Sequence, residues 1–331
     1  MRRASLAQLV EDLRACDAWQ RKHEIEVIRE RMVTAGAWAS SPEIRLGDDA
    51  AAIPTDDGYL LLAAEAVYPP LVAADPRLAG RVSILANVND IYAMGGYPIA
   101  VVDTVVADGT EVSGAIIEGI LEACDRYDVP LVGGHLTANH DAHAVSVAIL
   151  GRARRLLSGF GAKVGELLVH VTGLDGSFHP DYRFWNCSAH VGDAELRAQL
   201  AVLPTIAEAG WCAAARDVSM GGLLGSALML LDLSGVGAAI DLDSVAVPEA
   251  AAERSLDWLL AVPSYGFVLS VPSIHWKHVR DAFRAHDLSC EAIGTVTSGP
   301  QVVVKRGWEE AVLWDSSHES FTGLTQPQMS D

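Results

Sequence analysis

The sequence predicts two consecutive α/β domains of the α+β kind. Both halves alternate apolar, strand-like runs with amphipathic, helix-like runs at similar spacing. A glycine-rich joint, Ser158-Gly159-Phe160-Gly161-Ala162-Lys163-Val164-Gly165, separates them. The chain has 331 residues, 50% hydrophobic and 20% charged, enough to bury two sizeable cores. The expected organisation is a helical segment over 1–38, a first domain over 39–155 and a second over 156–331.

Residues 5–35 read as helical. Ser5 is a capping residue, Gln8 takes the capping-box position, and Leu6, Leu9, Val10 and Leu13 share a face. Residues 59–65 read as a buried strand. Asp75-Pro76 opens a helix, with Asp as cap and Pro in the first turn, and Gly95-Gly96 ends it. A strand over 99–106 and an amphipathic helix over 111–127 follow. Leu131-Val132 reads as a short strand stopped by Gly133-Gly134, and 144–153 as another strand. The second half predicts strands at 166–172, 237–242, 266–271, 292–297 and 301–304. Its helices cover 193–210 and the stretch from Gly221-Gly222 through Leu231.

The 43 acidic and 24 basic residues give a net charge of −19. Without a Lys/Arg cluster, this excludes a nucleic-acid backbone or an anionic membrane surface as partner. No run approaches the roughly 18 apolar residues of a spanning helix. The five cysteines, Cys16, Cys124, Cys187, Cys212 and Cys290, form no CxxC pair and read as reduced thiols of a cytoplasmic protein.

Five places carry chemistry. Gly47-Asp48-Asp49-Ala50-Ala51 is a tight acidic loop whose hard oxygen ligands suit Mg²⁺; a solvated turn is the plainer alternative. Glu65 ends an apolar run, where a carboxylate is costly unless paired or metal-bound; a plain strand-end acid is the alternative. Asn87 and Asp90 share a helical face beside Ile84 and Ile91, facing a partner or closing a helix-end network. Gly133-Gly134-His135 lets the backbone approach a ligand; His135, His140 and His143 cluster without a metal-binding frame. Asp217-Val218-Ser219-Met220-Gly221-Gly222 runs into a helix start, which binds anions or is simply capped by Ser219. The P-loop, the nucleophile elbow and the protein-kinase signature do not occur.

The order of these motifs closely resembles one superfamily. The acidic loop, the strand-end acid, the stretch from Asn87 to Pro98, the Gly133-Gly134-His135 turn, the joint and the stretch from Asp217 to Leu223 follow each other as they do there. The superfamily comprises aminoimidazole ribonucleotide synthetase, thiamine-monophosphate kinase, selenophosphate synthetase and the hydrogenase-maturation carbamoyl dehydratase. Within it, the chain looks most like the bacterial AIR synthase-related group. The resemblance implies a PurM-like fold: an N-terminal domain dimerising through its sheet and a C-terminal α+β domain, with ATP between them. It implies an ATP- and Mg²⁺-dependent enzyme acting on an unknown small-molecule acceptor, as a homodimer. Asp48, Asp49, Glu65, Asp90 and Asp217 would hold Mg²⁺. Gly47, Asn87, Gly133, Gly134, Gly221 and Gly222 would line the nucleotide, and Asp48, Asp217 and His135 would take part in catalysis. His135 and Met220 stand where thiamine-monophosphate kinases carry Asp, which leaves that activity as an alternative. A second alternative is a nucleotide-binding subunit without catalysis. The aromatic segment 175–190 is expected either to line the acceptor pocket, through His179, Arg183 and Trp185, or to be an ordinary surface loop.

Overall fold

Three short helices begin the chain in the computed structural model, which describes residues 5–34, 45–138 and 142–324. They are α1 (Leu6–Arg14), α2 (Asp17–His23) and α3 (Glu26–Thr34). Ser5 caps α1 as expected, its hydroxyl accepting from the Gln8 amide at 3.2 Å. The chain groups into two compact units that are not collinear with the sequence. The first holds Asp49–Leu156 and Gly192–Glu208; the second holds Met1–Asp48, Leu157–Val191 and Ala209–Asp331. The expected junction at 38/39 lies outside the described residues.

The first unit opens with a hairpin of β1 (Ala51–Thr55) and β2 (Gly58–Ala66), in which Thr55 pairs with Gly58 across Asp56-Asp57. Then come α4 (Pro69–Ala74), α5 (Pro76–Ala93), β3 (Tyr97–Ala107), α6 (Gly109–Tyr127), β4 (Leu131–Ala138) and β5 (Ala144–Ala153). The sheet order is β1-β2-β5-β3-β4, with only β3 and β4 parallel. Asp75 caps α5, accepting from the Leu78 amide at 2.9 Å, and Gly95 leaves it at φ +74°. Helices α5 and α6 cross closely at glycines. A Cβ on Gly80 would lie 2.1 Å from the Ile116 carbonyl oxygen, and one on Gly119 would lie 2.0 Å from that of Arg77. One sheet face buries Leu61, Ala63, Val101, Val105, Val147 and Ile149. The other leaves Leu62, Val102 and Leu150 exposed.

Two expectations are corrected in this unit. Gly133-Gly134 does not stop its strand: β4 runs through both, with Val102, Asp103 and Thr104 opposite Gly133, Gly134 and His135. Ladder hydrogen bonds to β3 outweigh the weak strand preference of glycine, and the edge position tolerates it. Strand β2 is buried on one face only, and Glu65 is exposed, so no burial cost attaches to its charge.

The second unit continues with β6 (Leu167–Thr172), β7 (Ser177–Phe178) and β8 (Phe184–Asn186). Helix α7 (Asp193–Glu208) belongs to the first unit, where Arg197 donates to the Arg126 carbonyl at 2.8 Å. There follow β9 (Ala214–Asp217), α8 (Gly222–Ser234), β10 (Gly237–Asp241), α9 (Ser255–Leu259), β11 (Val262–Pro263), β12 (Gly266–Val271), α10 (Trp276–Arg284), β13 (Ser289–Thr297), β14 (Gln301–Arg306) and β15 (Glu309–Asp315). Seven strands form the sheet β15-β14-β10-β13-β6-β12-β9, and β11-β8-β7 form a small second one. Helix α8 is buried from Gly222 to Leu233, as its nearly all-apolar sequence requires, and Gly235 ends it at φ +67°.

The segment 175–190 does not present its tryptophan to a ligand. Trp185 is fully buried, packs edge-on against Phe178 and Trp258, and donates its indole N–H to the Gly173 carbonyl at 3.0 Å. Arg183 pairs with Asp257 at 3.1 Å. Among the described residues no helix is long and apolar enough to cross a membrane.

Candidate functional site

In the first unit the acids converge at the start of the β1–β2 hairpin and the C-terminal half of α5. Asp49 lies just before β1. Asp90 lies on α5, only 7% exposed. Their carboxylates present oxygens within 4.8 Å of each other. One turn before Asp90, the fully buried Asn87 donates its amide N–H to the Ser83 carbonyl at 2.8 Å. The Asn87 Oδ1 is left without a donor. A buried acceptor without a donor is costly. Two carboxylates this close repel unless a proton or a cation lies between them. All these atoms are hard oxygen donors, the set Mg²⁺ prefers, so the residues fit that ion.

Glu65 sits on β2, where Ser146 donates its hydroxyl to the Glu65 carbonyl at 3.0 Å. His135 is exposed on the edge strand β4. His143 accepts from the Asp108 amide through Nδ1 at 3.3 Å, and His140 lies outside the described residues.

Sequence reasoning passed over one acid here. Asp103 on β3 is buried, and burial raises its carboxyl above the usual carboxylate range. It lies against Gly134, where a Cβ would overlap the Asp103 Oδ1 at 1.5 Å. The glycine at 134 is therefore demanded by Asp103. The available signal was a single acid inside the apolar run 99–107.

In the second unit, Gly47 adopts φ +118° and its carbonyl accepts from Arg216 at 2.8 Å. Asp48 accepts from the Ser158 hydroxyl at 2.5 Å and the Gly159 amide at 2.8 Å, which ties the acidic loop to the joint. The joint is held in turn by Ser234, which donates to the Gly159 carbonyl at 2.8 Å and accepts from the Ala162 amide at 3.1 Å. Asp217 ends β9, 7% exposed. Beyond it the chain turns at Gly221 (φ +118°) and Gly222 (φ +66°) into α8. A Cβ on Gly222 would lie 2.1 Å from the Leu259 carbonyl oxygen, so no larger residue fits. The Gly222 amide donates to the Ser219 carbonyl at 2.9 Å, and the amides that follow it at the start of α8 are of the kind anions take, beside a buried carboxylate suited to a cation.

Burial pushes Cys124 up to about 11 and Cys212 and Cys290 up to about 12, so these thiols stay protonated.

Comparison with known proteins identifies the family. Two family models match: AIR synthase related protein, N-terminal domain, over residues 47–153, and its C-terminal domain over 161–307. The uncharacterised protein sll0787 of Synechocystis is 44% identical over 283 residues, 85% of this chain and 87% of its own. Thiamine-monophosphate kinase of Rhodopirellula baltica is 32% identical over 187 residues, 53% of this chain and 54% of its own. The solved structure of AaThiL complexed with AMPPCP and TMP superposes with a TM-score of 0.65 at 20% identity, covering 86% of this chain and 94% of that one.

Proposed function

This chain belongs to the AIR synthase related family, and we propose that it is an ATP- and Mg²⁺-dependent enzyme that phosphorylates a small-molecule acceptor. The phosphoryl group either stays on the product or activates an amide-type or carboxyl oxygen for a further step. The carrying observation is the Asp49–Asp90 pair, two carboxylates within 4.8 Å on a hairpin start and a buried helix turn. The solved AaThiL complex contains an ATP analogue, which supports the nucleotide.

Asp49, Glu65 and Asp90 would hold Mg²⁺ from the first unit, and Asp48 and Asp217 would do so from the second. Bound Mg²⁺ supplies neutralisation of the polyphosphate charge and orientation of its oxygens. Phosphoryl transfer needs positioning more than covalent chemistry, which suits a site without an activated nucleophile of its own. Asn87 would line the nucleotide through its spare Oδ1. The α8 amides behind Gly221-Gly222 would take phosphate oxygens, and His135 would act near the acceptor. The exposed Leu62, Val102 and Leu150 on one sheet face support a homodimer formed through that face. The buried thiols fit a reducing cytoplasm.

Isothermal titration with ATP, with and without Mg²⁺, tests the reading. Binding that requires Mg²⁺ and weakens about a hundredfold in Asp90→Asn is expected; no binding in either condition overturns it. The similarity to the Rhodopirellula kinase favours one specific second reading, thiamine-monophosphate kinase. ATP hydrolysis without phosphorylation of thiamine monophosphate would remove it.

A further inference from the structure

The diglycine turn that opens α8 is held from outside by a residue far away in sequence. Trp19 on α2 is 1% exposed, and its indole N–H donates to the Gly221 carbonyl at 2.9 Å. That carbonyl also accepts from the Gly225 amide at 3.3 Å, so it is the first rung of α8. The indole ring lies against the turn on two sides. A Cβ on Gly221 would come 3.7 Å from Trp19 Cδ1, and one on Gly225 would come 3.1 Å from Trp19 Nε1. Glycine at 225 lets the ring this close, whereas a Cβ at 221 would make ordinary contact with it. Behind it, Phe321 meets Trp19 edge-on at 5.2 Å and Trp314 at 6.3 Å. The C-terminal segment carrying Phe321 is tied back to α8. Asp232 accepts from the Ser320 hydroxyl at 2.8 Å and from the Phe321 amide at 3.1 Å.

We infer that Trp19 is a positioning residue for the phosphate-binding turn: its N–H fixes the Gly221 carbonyl, so the left-handed pair Gly221-Gly222 aims the first amides of α8 in a set direction. Gly221 and Gly222 have wide conformational freedom of their own, and a turn of two glycines keeps one geometry only when its surroundings impose it. The fixed carbonyl and the packed ring help impose it here, together with the Gly222 amide's bond to the Ser219 carbonyl at 2.9 Å and the Ser219 amide's bond to the Ser226 hydroxyl at 3.1 Å. The N-terminal helices are thereby part of the binding apparatus, and their docking and ligand binding at the turn favour each other. This inference rests on the proposed role of the turn in holding nucleotide phosphate.

The test compares Trp19→Phe, which keeps a ring but removes the donor, with Trp314→Phe. The latter thins the same aromatic cluster and removes the bond from Trp314 to the Glu319 carbonyl, without touching Gly221. Amide hydrogen exchange at 219–223 is read in the ligand-free protein, and Mg²⁺-dependent ATP affinity by titration. Trp19→Phe is expected to speed exchange at the turn and weaken ATP by about tenfold. Trp314→Phe should lower the melting temperature while leaving turn exchange and affinity within about twofold. Gly225→Ala, which crowds the indole from the helix side, should reproduce the Trp19→Phe pattern and serves if that variant does not fold. Unchanged exchange at 219–223 in Trp19→Phe, or an equal effect of Trp314→Phe, overturns the inference. Faster exchange with no ATP binding by the unaltered protein would leave the turn held by Trp19 and remove the nucleotide reading instead.

Discussion

Two glycine pairs with the same sequence signature became different objects. Gly221-Gly222 is a left-handed turn opening a buried helix, at φ +118° and +66°. Gly133-Gly134 is extended edge strand, in register with Val102 and Asp103. The first pair is glycine for its backbone angles and for the Leu259 carbonyl that abuts Gly222. In the second, only Gly134 is constrained, and the constraint is Asp103 on the neighbouring strand, whose carboxylate and backbone oxygen would lie 1.5 Å and 2.8 Å from an added Cβ. A diglycine after a strand therefore signals close approach; what approaches is decided by the partner that tertiary structure brings.

Alanine substitutions break this comparison apart in a definite order. Gly222→Ala combines a left-handed angle with a backbone collision and is expected to cost about 3 kcal/mol or more in chemical denaturation. Gly134→Ala meets a carboxylate that can shift and a backbone oxygen at 2.8 Å that shifts less readily, so about 2 kcal/mol is expected. Part of that should vanish when it is combined with Asp103→Ala, the backbone contact remaining; an additive double variant would remove the Asp103 carboxylate as a reason for the glycine. Gly133→Ala has Val102 Cγ1 as its nearest neighbour, at 4.0 Å, and should change stability by no more than about 0.5 kcal/mol.

The acid behind the second pair yields a pH signature. Burial holds the Asp103 carboxyl above its ordinary value, so the folded protein keeps that proton more tightly than the unfolded chain. Its contribution to stability is full below the ordinary carboxylate range and is lost as pH rises through the raised folded value. Asp103→Asn should therefore melt higher than the unaltered protein at neutral pH and lose that advantage in acid. A constant difference across the range would show that charge is not the cause.

Local signals in the sequence proved dependable where the chain acts on itself. Ser5 and Asp75 cap the helices they were expected to cap, and strand 266–271 has the expected limits. Strands β1 and β15 went unread: Ala51–Thr55 is short and contains Pro54, and Glu309–Asp315 opens on two acids. Both are edge strands, so neighbours supply what composition does not. In the candidate site, Asp49 was legible as part of a tight acidic loop, and Asn87 and Asp90 as polar groups set into an apolar helix. Asp103 was not, because a lone acid in a strand carries no sign of what opposes it.

The amino-acid sequence alone determined the two-part α/β plan, the helix boundaries set by caps and glycines, and the acids and glycines worth weighing. Tertiary structure decided which of them meet. It put adjacent Asp48 and Asp49 into different units, one bonded to Ser158 and the other beside Asp90. It turned one diglycine into strand and the other into a helix start braced by Trp19. Caps and turns are satisfied by hydrogen bonds a few residues away, so they are written locally. Strand register, burial and the neighbours of a buried polar group often depend on segments tens to hundreds of residues apart, and only the folded chain supplies them.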